Sequence, residues 1–232
     1  MKTLCTICIR SGSQGLINKN ILKINKKPLF FFTLEQAKKS NLFDKIVIST
    51  DSLKIYRLVN KYGGNAFFIR PKSLSHNKSP KIPVIRHALL ESEKFYKYKF
   101  DYIVDLDVTS PLRSIQDIKK AFNKFKKNHS NILFSVTKAN KNPYFNQIEY
   151  KKNKYDLVKK SNILPKRRQD SSKVFDMNAS IYIWKRNTLI KSDNLFSKRT
   201  SIYIMPKERS WDIDDNVDFE FAKFLIKKKN EK

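Results

Sequence analysis

The chain has 232 residues, 40% hydrophobic, with 17 Phe and 10 Tyr, which is enough apolar mass for one substantial core. No stretch reaches the roughly 18 apolar residues of a membrane span, and isolated His76, His87 and His129 with two cysteines exclude a Cys/His metal cluster. The formal net charge of +28 favours anionic partners, but the lysines are spread along the whole length, as on a solvated surface. Small anionic substrates are therefore expected, with no nucleic acid and no membrane among the partners. The N-terminal apolar run is too short for a signal peptide, so a cytoplasmic protein with reduced thiols is expected.

Thr3–Ile9 reads as a buried strand. Cys5 and Cys8 within it are formally C-x-x-C, yet a three-residue offset in a strand points them to opposite faces. Both are expected to be small buried side chains. The strand runs into Cys8–Asn20 (CIRSGSQGLINKN), which carries two of the chain's four glycines, Gly12 and Gly15, with Arg10, Ser11, Ser13, Lys19 and Asn20. A Gly/Ser loop with cations after a strand can build a nest of N–H groups around phosphates. It is neither a Walker A nor a G-x-G-x-x-G sequence, and a tight turn with solvated charges is the alternative.

Ile21–Lys27 is a short extended or hairpin segment, and Pro28 opens a helix to about Ser40. Lys45–Thr50 is a buried strand. Asp51 is the expected N-cap of a helix with an apolar stripe at Ile55, Leu58, Val59 and Tyr62, stopped by Gly63-Gly64. Asn65–Ile69 is expected as a third strand, followed by irregular chain to about Lys81 and a helix from Pro83 to about Phe95. Tyr102–Asp107 is a fourth strand. Ser114 caps a helix burying Ile115, Ile118, Phe122 and Phe125, and Asn131–Thr137 is a fifth strand.

This alternation predicts an α/β fold with a doubly wound, mostly parallel sheet, whose ligands sit at the carboxyl ends of the strands. Arg10, Asp51, Arg70 and Asp107 each follow a strand and converge on that edge. Within the single domain 1–232, the segment 138–176 breaks the pattern and reads as an insertion, hairpin-like over Asn146–Lys160, packed on a second copy. Ala179–Trp184 and Ser201–Met205 return as strands, and Asn216–Lys228 is the last helix.

Two groups of residues carry further chemistry. Asp212 and Asp214, two apart in an extended segment, point the same way. Paired carboxylates suit Mg²⁺, which keeps waters and bridges to phosphates. Acids that cap the final helix are the alternative. Arg167-Arg168-Gln169-Asp170 offers guanidinium forks for a carboxylate or phosphate, or a dimer contact. Together these elements suggest nucleotidyl transfer onto an acidic acceptor, chemistry that needs positioning and charge neutralisation more than a nucleophilic side chain. A non-catalytic, polyanion-binding basic protein is the competing class.

With those residues placed, the chain resembles the acylneuraminate cytidylyltransferases and, more distantly, CMP-3-deoxy-manno-octulosonate synthetase. The resemblance runs nearly end to end: RSGSQGLINKN, Arg70-Pro71, Thr109-Ser110-Pro111-Leu112-Arg113, Arg167–Asp170, Asn178–Tyr182 and Asp212-Ile213-Asp214. It implies a nucleotide-diphospho-sugar transferase-like fold and a Mg²⁺-dependent enzyme. The implied reaction moves CMP from CTP to the anomeric hydroxyl of a sialic-acid-like nonulosonic acid, or of another 2-keto-3-deoxy acid. Arg10, Ser11, Gly12, Ser13, Lys19, Asn20 and Arg70 would hold CTP. Arg10 and Lys19 would act in catalysis with Asp212 and Asp214, which match the Mg²⁺ ligands. Asp107, Arg168, Gln169 and Tyr182 would face the sugar acid, and the insertion would form a homodimer. The chain departs from the family pattern at Gln14 (usually Lys), at Asp107-Val108 (usually Gln-Pro) and at Asn178-Ala179-Ser180 (usually Asn-Gly-Ala).

Overall fold

The computed structural model describes residues 1–12, 15–160, 167 and 170–230. The first strand, β1 (Thr3–Ile9), is buried at every position but Cys8. Continuous burial is what a parallel strand covered on both faces requires. A two-residue hairpin follows, β2 (Lys23–Ile24) and β3 (Lys27–Pro28), turned at Asn25 and Lys26, both with positive φ. This is the mirror-image turn that matches strand twist. Pro28 then precedes α1 (Leu29–Ser40), and β4 (Lys45–Thr50) pairs with β1 in parallel.

The helix α2 (Leu53–Lys61) is capped by Ser52, whose hydroxyl accepts from the Ile55 N–H; Asp51 is not the cap. Asp51 instead accepts hydrogen bonds from the loop after β1, which leaves the capping to its neighbour. Residues 65–69 form no strand. They lie beside β4, where Asn65 O accepts from Ile48 N–H, and just beyond them Arg70 N–H donates to Thr50 O. Apolar character comes from packing there: Phe67 stacks on Phe95 instead of entering a ladder.

Next come α3 (Lys81–Tyr96), β5 (Tyr102–Leu106), α4 (Ile115–Lys127) and β6 (Ile132–Lys138). α4 starts with a full capping box between Ser114 and Asp117. β7 (Ile148–Lys151) and β8 (Lys154–Leu157) form the hairpin of the insertion, apart from the main sheet. β9 (Phe175–Lys185), α5 (Arg186–Lys191), β10 (Thr200–Ile204) and α6 (Asn216–Asn230) complete the described elements.

The main sheet runs β10-β6-β9-β5-β1-β4. β9 is longer than the Ala179–Trp184 expected, and it is antiparallel to both neighbours because it enters from the insertion at the end of β6. The other pairings are parallel. One face packs Cys5, Ile7, Ile9, Val104 and Leu106 under α1, α2, α4 and α6; the other packs Leu4, Val47, Ile103 and Trp184 under α3 and α5. Cys5 is therefore on one face and Cys8 on the other, and both are free thiols. The chain leaves β1 for β4 on one side and later for β5 on the other. The carboxyl end of β1 is thus a topological switch point.

β9 bends at Ala179, which holds φ +51°. That conformation costs an L-residue roughly 1 kcal/mol. Ala179→Gly is expected to raise unfolding stability by about 0.5–1 kcal/mol, read as a higher urea midpoint. A lower midpoint would show that the alanine methyl contributes more by packing than the bend costs.

Candidate active site

At the switch point the loop after β1 is tied down from several sides. Ser11 donates its backbone N–H and hydroxyl to Asp51 at 2.9 and 2.7 Å. Buried Arg70 donates to Ile9 O at 2.9 Å and pairs with Asp51 at 3.6 Å. Asn20 donates to Arg10 O at 3.0 Å. These contacts hold the loop's backbone, while the Arg10 guanidinium makes no hydrogen bond or ion pair with any described residue. Ser13 and Gln14 lie outside the described residues.

Arg10 lines an open recess of about 440 Å³ with Cys8, Gly15, Lys19, Asn20, Asp107, Thr109 and Asp214. A second recess of about 250 Å³ shares Cys8, Arg10 and Asp107 with it and extends past Arg70 to Asn77, Ser79 and Lys81. The loop reaches the first recess by close approach at Gly15, where a Cβ would sit 2.5 Å from Asp214 O. Gly12 has open space around it.

Lys81 and Asp105 were not singled out from the sequence. Lys81, at the start of α3, contacts Asp107 at 2.7 Å and Asp105 at 3.1 Å, with its ammonium 4.6 Å from the centre of the Tyr182 ring. Burial opposes the charge on Lys81, but Asp107 and Asp105 outweigh it and hold the ammonium well above the usual lysine range. Burial likewise raises Asp107, yet Lys81 and Thr109 outweigh it and bring the carboxyl down to about 2. Both Asp107 oxygens are occupied, one by Lys81 and one by the Thr109 N–H and hydroxyl. Tyr182 is buried beneath this knot. A usable signal was present: Asp105 and Asp107 share one side of a strand, and such a pair needs a cation.

The acidic segment before α6 faces the same recess. Ile213 N–H donates to Thr109 O at 2.9 Å, which brings Asp212 next to the end of β5. Lys19 donates to Ile213 O at 2.6 Å and meets Asp214 at 3.3 Å. Asp212 Oδ1 is buried and accepts no hydrogen bond from any described residue. Burial, and then the Asp107 charge, push the Asp212 carboxyl up to about 6. An orphaned carboxylate oxygen beside a second, exposed carboxylate fits a hard cation. Among the described residues no three His, Cys, Asp or Glu side chains converge as a cage. Arg168 and Gln169 lie outside the described residues.

The model of the family described as "Cytidylyltransferase" matches residues 4–230. The chain belongs to the cytidylyltransferase family. It is similar to "Post-translational flagellin modification protein B" of Campylobacter coli, at 47% identity over 98% of this chain and 96% of that one. It is also similar to the "CMP-N,N'-diacetyllegionaminic acid synthase" of Campylobacter jejuni, at 45% identity over the same shares. In fold it is similar to a CMP:2-keto-3-deoxy-manno-octonic acid synthetase complexed with CTP, with a TM-score of 0.70, 16% identity, and coverage of 99% of this chain and 100% of that one. The family resemblance read from the motifs therefore holds, as does the nucleotide-sugar transferase type of fold. The recess lined by Arg10, Lys19, Asp107 and Asp214 lies at the carboxyl end of β1, the strand edge that the alternation pointed to.

Two expectations follow. Gly15→Ala should cut cytidylyltransferase turnover at least about tenfold by displacing the loop from Asp214, a larger loss than that of Gly12→Ala, whose added Cβ meets nothing within 4 Å. Equal rates for both in steady-state assays would remove the close-approach argument. Asp212 has a raised folded-state pKa, so the folded protein holds its proton more tightly than the unfolded chain between about pH 4 and 6. Stability is lost as pH rises through that window, by up to about 3 kcal/mol above it. Asp212→Asn should raise the cation-free Tm at pH 7.5 and leave it unchanged near pH 4. Calorimetry showing the same shift at both values would contradict this.

Proposed function

We propose that this cytidylyltransferase moves CMP from CTP to the anomeric hydroxyl of a nonulosonic acid of the legionaminic or sialic type, releasing pyrophosphate. The carrying observation is one recess lined by Arg10, Lys19 and Asp214, in which the Arg10 guanidinium has no hydrogen bond or ion pair with any described residue and Lys19 holds Ile213 O. The similarity to the legionaminic acid synthase supports the acceptor class.

In this reading Asp212 and Asp214 would hold Mg²⁺, which would supply charge neutralisation for the triphosphate. Arg10 and Lys19 bind the phosphates from the loop side, with Ser11, Gly12, Ser13 and Asn20 shaping the backbone that carries them. Arg70 braces the nucleotide side. Asp107, Arg168, Gln169 and Tyr182 form the acceptor side, Tyr182 acting from beneath Lys81. The acceptor oxygen attacks the α-phosphorus, its proton is released, and the bond to the β-phosphate breaks. Positioning and charge carry the rate, as expected for phosphoryl-type transfer.

The insertion 138–176 is assigned as the homodimer contact, because Ile148, Tyr150 and Tyr155 are exposed on its hairpin. Among the described residues no helix is long and apolar enough to cross a membrane. The reading places the enzyme in the cytoplasm and gives no role to nucleic acid or membrane.

Pyrophosphate release should occur with CTP, Mg²⁺ and legionaminic or sialic acid, and not when ATP, GTP or UTP replaces CTP. Release with manno-octulosonic acid alone would move the acceptor class; no release with any acid would overturn the reading. Arg10→Ala should raise the KM for CTP about tenfold or more, the scale of one charge-assisted phosphate contact. An unchanged KM would remove Arg10 from the phosphate site.

A further inference from the structure

The acidic segment carries Asp212 and Asp214 but belongs to neither the sheet nor α6. Something outside it must set where those carboxylates stand. The Ile213 N–H bond to Thr109 O supplies one main-chain point. The Ser210 hydroxyl accepts from Asn178 Nδ2 at 3.0 Å. The charged anchor is Arg209, on the single 3₁₀ turn Lys207–Arg209 just before the segment. Its Nε and Nη2 donate to the two oxygens of Asp117 at 2.8 and 3.1 Å.

Asp117 is a demanding partner. It is 1% exposed. It also accepts from the Ser114 N–H, the Ser114 hydroxyl and the Tyr203 hydroxyl, at 2.9, 2.7 and 3.1 Å. It sits in the first turn of α4, directly after the turn that carries Asp107 and Thr109. A two-point guanidinium–carboxylate fork fixes angle as well as distance. The fork therefore joins the two pieces of chain that supply the site's carboxylates, without itself lining either recess.

We infer that Arg209, through its fork to Asp117, is a positioning residue that sets Asp212 and Asp214 against Thr109 and Asp107. Arg209 touches no reacting atom. Its effect on a bound cation rests on the reading of Asp212 and Asp214 as cation ligands. Its effect on the segment does not.

The test compares full-length protein with Arg209→Met and Arg209→Lys, the latter keeping charge without the fork. Arg86→Met is the control: it breaks the Arg86–Asp193 pair, which packs on α5 and not on the acidic segment. Hydrogen exchange at the Ile213 amide reads the junction directly, and Mn²⁺ binding by electron paramagnetic resonance reads the carboxylates. Arg209→Met should speed Ile213 exchange at least about tenfold and weaken Mn²⁺ at least about fivefold. Arg209→Lys should fall between, and Arg86→Met should match the parent in both. Parent-like Ile213 exchange in Arg209→Met, or equal changes in Arg86→Met, would overturn the inference. Asp212→Asn separates the two claims. If it binds Mn²⁺ as the parent does, the cation reading fails, and Ile213 exchange alone decides the positioning claim.

Discussion

Two carboxylates on one side of a buried strand repel each other, and Asp105 and Asp107 stand together at the end of β5 because the Lys81 ammonium lies between them. Much else in the site follows from this knot. Asp105 is fully buried, so its charge must be compensated in place, and a buried ion loses about 3–5 kcal/mol when its partner is removed. With Lys81 and Thr109 occupying Asp107 and the Lys81 ammonium set against Asp105 Oδ2, the buried carboxylate oxygen with neither a hydrogen bond nor an ion pair among the described residues is Asp212 Oδ1. The knot thereby separates a closed acid pair that shares one ammonium from the open pair at Asp212 and Asp214.

Buried Arg113 secures the same region from behind. It donates to Ser180 O at 2.6 Å, Gln36 Oε1 at 2.9 Å and Thr33 Oγ1 at 3.1 Å, and to no carboxylate among the described residues. Burial brings its guanidinium down to about 10, so it remains a cation at neutral pH. One cation balances acids and another organises carbonyls and hydroxyls. The five donors of guanidinium suit the second task, and the compact ammonium suits the first.

How much of this was legible varied with the physics behind each signal. The strand–loop start at Thr3–Asn20, the capped helix at Ser114 and the convergence of Arg10, Asp51, Arg70 and Asp107 were readable, because local spacing and capping chemistry decide them. Asn65–Ile69 misled because an aromatic run looks the same whether it pairs in a sheet or packs beside one. Asp51 was misplaced as a cap because its partner, Ser11, is far away in sequence. The direction of β9 depends on where the insertion re-enters, which no local pattern encodes. Lys81 was one lysine among many in a strongly basic chain, and only its distance to Asp105 and Asp107 sets it apart. The roles of Arg168 and Gln169 stay with the motif, since those residues lie outside the described ones.

The insertion departs from and returns to neighbouring strands: Lys138 pairs with Phe175 across β6 and β9, and Ala139 N–H donates to Val174 O at 3.1 Å. Its base is closed by ladder hydrogen bonds, so the length of chain beyond that base enters the fold's free energy mainly as loop-closure entropy, which grows only logarithmically. The barrel of constraints on the core therefore stops at that junction. Selection can lengthen, shorten or resurface the β7–β8 arm while the sheet, its charge knot and its switch point stay as they are. The length of the arm is thereby set apart from the energetics of the sheet on which the recess is built.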